Sequence, residues 1–351
     1  MARFLQLHLL TFYPPANLNR DDTGRPKSAV VGGEPRLRVS SQALKRAWRT
    51  SDGFRAALDG HMGSRTQRMG EEIVRHLLSR GINDAIARKA AREIVPVFGK
   101  LKSDQDTTRT EQLAFIAPAE RQTAFELAER LAAGEKLKIE TSAVLQRTDT
   151  AADIAMFGRM LADNTDFNRE AAVQVAHAIT THRVIVEDDY YTAVDDLKKP
   201  SEDAGAGFVG EAAFGSGVFY LYACIDRVLL ARNLGGDADL AQIAVAALIE
   251  AAATVSPNGK QNSFAALGRA HYVLAEAGSA QPRTLAGAFA RPVAGDGLMA
   301  PSIVALRDFR SRMSAAYGAP CEGEAEMSVL DGTGSLAAIL AFVRGLGPAN
   351  A

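Results

Sequence analysis

The sequence predicts an α+β fold in which strands from both ends of the chain build one sheet around a helical insertion and a Gly-rich loop. Three observations predict it. FLQLHLL at 4–10 and VFYLYACID at 218–226 read as strands. Residues 56–145 carry apolar positions at helical spacing among scattered charges. Between 186 and 217, five glycines, Pro200 and clustered acids cannot build a core, so a projecting loop or hairpin is expected there.

In chain order, FLQLHLL is apolar on both faces and reads as a central strand, ended by Tyr13-Pro14-Pro15. Leu18–Gly33 is a polar, mobile loop punctuated by Gly24, Pro26, Gly32 and Gly33. Arg36–Ser40 alternates as a short half-exposed strand. Ser40 or Ser41 then caps a helix to about Thr50, with Leu44, Ala47 and Trp48 on one face. Gln42, Lys45, Arg46 and Arg49 fall on or near the other face, and Trp48 reads as the anchor to the core. TAADIAMFGRML (150–161) is ambiguous and reads as a return towards the sheet; EAAVQVAHAITTHRV reads as helix or strand. DADLAQIAVAALIEAAATV is a buried helix, SPNGKQNSF a turn leading into a strand, and two helices close the chain.

The 351 residues carry 40 basic and 41 acidic side chains, with 47% hydrophobic residues, as a globular protein does. The charge is unevenly placed: residues 1–60 carry +5, 61–175 are neutral, and 176–351 carry −6. No apolar run approaches the roughly 18 residues of a membrane span. The N-terminal stretch lacks a small-residue cleavage site, and Cys224 and Cys321 stand far apart, so a reducing cytoplasmic setting is expected.

The densest charge lies in Leu18–Arg49, with eight basic residues (Arg20, Arg25, Lys27, Arg36, Arg38, Lys45, Arg46, Arg49) against Asp21, Asp22 and Glu34. A basic loop, a helix start with its unsatisfied amides and a basic helix face together make an anion site, for which nucleic acid is the economical ligand. An exposed basic helix with no ligand fits the same residues. Asp21 and Asp22 admit two readings: a metal or hydroxyl-activating pair, or partners of Arg20 or Arg25 that hold the loop's shape. The second is favoured. Asn258-Gly259-Lys260-Gln261 lacks the earlier glycine and the Ser/Thr of a phosphate loop, which leaves Lys260 as a point charge on a turn. His177 and His182, five apart, share no face and read as structural. No nucleophile elbow or Cys/His pair is present.

LNRDD, Lys27, Gly32-Gly33, RVSSQ and LKRAWR resemble the N-terminal signature of the CasC family, the repeating backbone subunit of the type I-E CRISPR surveillance complex, Cascade. DIAMFGRM, AHAITTHRV, YYTAVDDL, FGSGVFYLYACID and KQNSFAAL extend the resemblance in order to about residue 267. It implies an RNA-recognition-motif-like (ferredoxin-like) palm over 1–55, 175–190 and 218–351, helical fingers over 56–174 and a thumb hairpin over 191–217. It further implies a cytoplasmic, non-catalytic protein without cofactor or metal that stacks head to tail along a CRISPR RNA and leaves bases free for a target DNA strand. Its other partners would be the large, small and guide-end-binding subunits.

The family's guide contacts carry over to Arg20, Lys27, Ser40, Gln42, Lys45, Arg46 and Arg49, and further to Lys260 and Gln261. Where relatives place methionines after GRM against nucleotides, this chain has LADNTDF, which makes Phe167 the substitute; Phe208 and Phe214 are the thumb wedge candidates. Two alternatives stand beside this reading: a backbone ribonuclease using a loop aspartate, with Asp22 as candidate, and a generic RNA-binding module.

Overall fold

The computed structural model describes residues 2–103, 108–148, 150–193 and 208–348. The chain opens with β1 (Phe4–Ala16), β2 (Ser28–Val31), β3 (Glu34–Val39), α1 (Ser41–Thr50) and α2 (Asp52–Ala57). A mainly helical stretch follows: β4 (Ser64–Thr66), α3 (Met69–Ser79), α4 (Asp84–Ile94), β5 (Ala114–Ile116), α5 (Pro118–Ala132), α6 (Thr141–Val144) and α7 (Ala152–Phe157). Then come β6 (Val173–Val175), β7 (Ala178–Thr180), β8 (Glu187–Ala193), β9 (Phe208–Asp226), α8 (Arg227–Asn233) and α9 (Ala238–Thr254). The last elements are α10 (Gln261–Phe264), β10 (Ala270–Gly278), α11 (Met299–Tyr317), β11 (Gly323–Ser328) and α12 (Leu336–Gly345).

Two compact units result. One comprises Met1–Phe54, Val175–Cys224 and Leu248–Leu346; the other comprises Arg55–Gln174, Ile225–Ala247 and Gly347–Ala351. Residues 225–247, which sequence reading left with the flanking strands, therefore pack with the helical unit.

The first unit is a large antiparallel sheet whose main path runs β11-β10-β1-β9-β7-β3-β2, with β8 joined to β9 beside it. Phe4↔Gly278 to Leu10↔Tyr272 set the β1/β10 register, with an irregularity at Leu10/Thr11. Leu5, Leu7 and Leu9 are buried on one face of β1, and Leu10 joins Tyr220, Tyr272, Phe289 and Leu306 on the other. Both faces are covered, which is why this strand reads as continuously apolar. It also runs past its expected end, to Ala16. Its ladder with β10 stops at Thr11, so Pro14 and Pro15 remove no hydrogen bond from that ladder.

The Gly-rich stretch is a hairpin in its described part, Glu187↔Phe214 to Ala193↔Phe208, with all of β8 exposed. SPNGKQNSF leads into the helical turn α10 before any strand. Strand β11 was hidden in the sequence because GEAEMS is short and mostly polar.

In the helical unit α3, α4 and α5 pack through Ile73, Leu77, Ala91, Ile94, Ala124 and Ala128, the alanines allowing close helix approach. Residues 152–157 form α7, entirely buried, in place of the expected return to the sheet. A short apolar run fits a buried helix as well as a strand. Gly158, at φ 80°, ends it. The pair β4/β5 was not foreseen: three-residue strands carry too little periodicity.

Buried charges organise these units. The Arg159 guanidinium contacts Glu120 at 2.7 Å with both side chains sealed from solvent, and donates to the Phe167 carbonyl at 3.1 Å. Glu276, fully buried, meets Arg283, Arg310 at 2.8 Å and His8 at 3.2 Å. Arg36, only 1% exposed, donates to the carbonyls of Thr180 and Phe289 at 2.8 and 3.0 Å. Sequence reading had counted Arg36 with the anion site; instead it ties β3 to its neighbours.

Burial holds the His8 ring below its ordinary 6.5 and therefore neutral, so Nε2–H donates to Glu276 while Nδ1 accepts from the Tyr220 hydroxyl. For Glu276 burial alone would raise the pKa, but hydrogen bonds from His8 and Arg283 outweigh it and lower it from 4.5. Both shifts act in one direction on stability. Below about pH 6.5 the unfolded chain takes up a proton that folded His8 refuses, and below about 4.5 the stabilisation of ionised Glu276 is progressively lost. Urea unfolding is expected to show stability falling in both windows as pH drops. Glu276→Gln should cost about 3 kcal/mol at pH 7, through the counter-charge it takes from Arg283 and from Arg310, which keeps Glu324, and flatten the lower window.

Candidate nucleic-acid interface

The loop after β1 is tightly bonded along its length, contrary to the mobile loop expected. Lys27 N–H donates to the Asn19 carbonyl at 2.7 Å and Asp21 N–H to the Arg25 carbonyl at 2.9 Å. One carboxylate oxygen of Asp21 accepts from the Thr23 amide, the Thr23 hydroxyl and the Arg25 amide, at 3.0, 2.8 and 3.0 Å. The Thr23 hydroxyl leads the contacts that lower the Asp21 pKa. Asp21 thus holds the loop's shape, through hydrogen bonds and without an arginine ion pair. Arg25 gives its charge to Asp188 on β8, at 2.7 Å. The Asn17 amide clasps the loop from beneath, donating at 2.9 Å to the carbonyls of Gly24 and Ala213.

Helix α1 begins where this loop ends. Ser40 N–H donates to the Asn19 side chain at 2.9 Å, and the Ser40 hydroxyl accepts from Ala43 N–H at 3.3 Å. Ser40 is a buried N-cap, already engaged with the amide of the third helical residue, and not an open donor at the surface. Leu44, Ala47 and Trp48 are buried, which turns the opposite stripe outward. Gln42, Lys45, Arg46 and Arg49 stand at i, i+3, i+4 and i+7, with Gln42 and Arg46 exposed and Lys45 and Arg49 half-buried.

The turn before α10 completes the site. A side chain on Gly259 would put its Cβ 2.2 Å from the Leu18 carbonyl oxygen, so only glycine lets the two backbones approach this closely. The next residue, Lys260, is left-handed at φ 45° and half-buried. Gln261 is committed elsewhere: its amide donates to the carbonyls of Pro257 and Ala266 at 2.7 and 3.2 Å and closes the turn. Arg20, Asp22, Arg46, Asn258 and Gly259 line one cleft of about 510 Å³ between the loop, α1 and this turn. Two arginines from distant sequence positions thus line a common space.

A second cationic spot, Lys27 with Arg38, lies beside it, and its histidine partner is what the sequence does not show. Arg38 on β3 donates to His177 Nδ1 at 2.7 Å, and burial, then the charges of Arg38 and Lys27, hold that imidazole below its ordinary range. The alternation Arg36-Leu37-Arg38 was visible in the sequence, but which arginine stays near the surface was not. His182 is structural, donating to the Arg183 carbonyl and accepting from Val218 N–H.

The aromatic candidates fare differently. Phe167 is buried in the core of the helical unit and cannot pack on a ligand; Met160, 79% exposed, is the displayed apolar side chain of that segment. Phe214 is half-buried with its ring 6.2 Å from that of Phe264, tucked back against the body. Phe208 opens β9, with its side chain outside the described residues. Among the described residues one group has metal-ligand geometry, Glu276 with Cys321 and Glu324, and its carboxylates are already paired with arginines.

The profile of the family described as CT1975-like protein matches residues 5–338. A chain of a solved "CRISPR RNA-guided surveillance complex, pre-nicking" is 31% identical, superposes with a TM-score of 0.86, and covers 98% of both chains. A chain of a second "CRISPR RNA-guided surveillance complex" is 26% identical, with a TM-score of 0.64 over 98% of this chain and 100% of that one. No curated protein matches the sequence. No helix among the described residues is long and apolar enough to cross a membrane.

The close approach at Gly259 makes a stability prediction. Gly259→Ala should cost about 1–3 kcal/mol in urea unfolding, because carbonyls must move. Gly24→Ala, where a Cβ meets nothing but φ is +87°, should cost about 1 kcal/mol through backbone strain alone.

Proposed function

We propose, from the premise that this chain belongs to the CT1975-like protein family, that it is the guide-RNA-binding backbone subunit of a CRISPR surveillance complex of the Cascade type. The observation that carries the reading is the cleft where Arg20 and Arg46 converge, continued along α1 by Gln42, Lys45 and Arg49. Guanidinium and ammonium groups on a loop and a helix face suit phosphates, and no base-edge code is needed. Lys27 with Arg38, and Lys260 on its left-handed turn, extend the grip. Ser40 and Gln261 act by positioning, since their side chains hold the helix start and the turn.

On this reading the protein is the CasC-type subunit of a type I-E complex. The sheet unit is an RNA-recognition-motif-like palm, the helical unit the fingers and the β8/β9 hairpin the thumb. Copies stack head to tail along the CRISPR RNA, a heterologous contact that forms an open helix when its rotation does not close. Bases stay exposed for a target DNA strand, and the large, small and guide-end-binding subunits complete the assembly. Met160 takes the apolar contact role that Phe167 cannot fill, and Phe214 stabilises the hairpin's base. The protein is non-catalytic, cytoplasmic and needs no cofactor.

Gripping about four phosphates per copy gives a log–log salt slope near −3 for single-stranded RNA. Arg20→Glu with Arg46→Glu should abolish guide co-purification while circular dichroism stays native; normal RNA content in that double variant would refute the grip. Sequencing the RNA recovered with the native protein should give repeat-derived ends. A backbone ribonuclease would instead cut complementary RNA at even spacing with Mg²⁺, and lose that cutting on Asp22→Ala.

A further inference from the structure

The cleft contains a group that a phosphate grip does not explain. Asp22 is exposed and lines the same space as Arg20 and Arg46. Its neighbour Asp21 lines the cleft too, but one of its carboxylate oxygens is held by the turn, accepting three hydrogen bonds. Asp22 has no such duty: among the described residues its carboxylate has no hydrogen-bond or ion-pair partner. An ionised carboxylate is an acceptor only, and phosphate oxygens are acceptors too, so Asp22 opposes the phosphate that the two arginines attract.

Only a donor on the ligand turns that opposition into attraction. Along a nucleic-acid backbone the one donor is the ribose 2′-hydroxyl, which RNA has and DNA lacks. Sugar follows phosphate along the strand, so a cleft lined by an acceptor as well as two arginines offers a partner to both groups of the ligand's repeat. A metal is a poorer occupant, since the same two arginines repel a cation from this cleft. We propose that the Asp22 carboxylate accepts the 2′-hydroxyl of a bound ribose and makes this cleft select RNA over DNA. This rests on the RNA-backbone reading above and adds to it a residue that sets ligand specificity.

The test titrates the full chain at fixed salt with three short single strands of one sequence: RNA, its 2′-fluoro form, which keeps the sugar but cannot donate, and DNA. The wild type should bind RNA about tenfold more tightly than the 2′-fluoro strand, the worth of a hydrogen bond to a charged acceptor. In Asp22→Ala that ratio should fall towards one, with the salt slope unchanged. Arg46→Ala should weaken all three strands alike and keep the ratio. A ratio that survives Asp22→Ala overturns the proposal, as does an equal gain in affinity for all three strands, which is simple removal of repulsion. Salt-insensitive or undetectable RNA binding by the wild type would instead bring down the backbone-grip reading itself.

Discussion

The burial of Trp48, with Leu44 and Ala47, is the contact on which the rest of the site depends. Trp48 is 1% exposed, and a helix anchored through so large a side chain has no rotational freedom about its axis. Its opposite stripe therefore points outward as a consequence of packing. The capping of Ser40 and the bond from Ser40 N–H to Asn19 then fix where the helix starts relative to the loop. Arg46 and Arg20 line one cleft because both ends of this connection are tied down. The charge supplies attraction, and the apolar face supplies its direction.

The basic residues of the N-terminal segment divide into those that build and those that remain available to bind. Arg36 is spent on two carbonyls inside the fold and Arg25 on Asp188. Arg20 and Arg46 reach the cleft. The formal surplus of +5 in residues 1–60 therefore overstates the charge offered to a ligand. The acids differ similarly: both line the cleft, but Asp21 also shapes the loop through its hydrogen bonds. Buried ion pairs such as Arg159–Glu120 add little net stability by themselves, but leaving either partner alone in the interior is costly, so each disfavours alternative packings.

A polyanion can be held without being read when the donors lie on rigid elements and no aromatic platform competes for its bases. Phe214 is folded inward against Phe264, and no aromatic residue is among the described residues lining the cleft. The cleft is lined by charged residues, two asparagines, glycines and the small or aliphatic Leu18, Ala43 and Ala47. That inventory suits phosphates and sugars.

Much of this was legible in the sequence, for physical reasons. Helical periodicity identified α1 and both of its faces, a continuous apolar run identified β1, alternation identified β3 and β9, and a Gly-rich acidic run identified a projecting loop or hairpin. These are local properties, set by residues three or four apart on a helix or two apart on a strand. The helix α7 and the strands β4, β5 and β11 were not legible, because short or evenly apolar runs carry no period. Sequence alone determined that a basic loop, a capped helix and the Gly259–Lys260 turn exist. Tertiary structure alone decided that Gly259 lies against Leu18, that Arg36 is interior, that Phe167 is core, and that Arg20, Asp22 and Arg46 share one cleft. Burial and long-range proximity are properties of the packed chain, and no spacing along it encodes them.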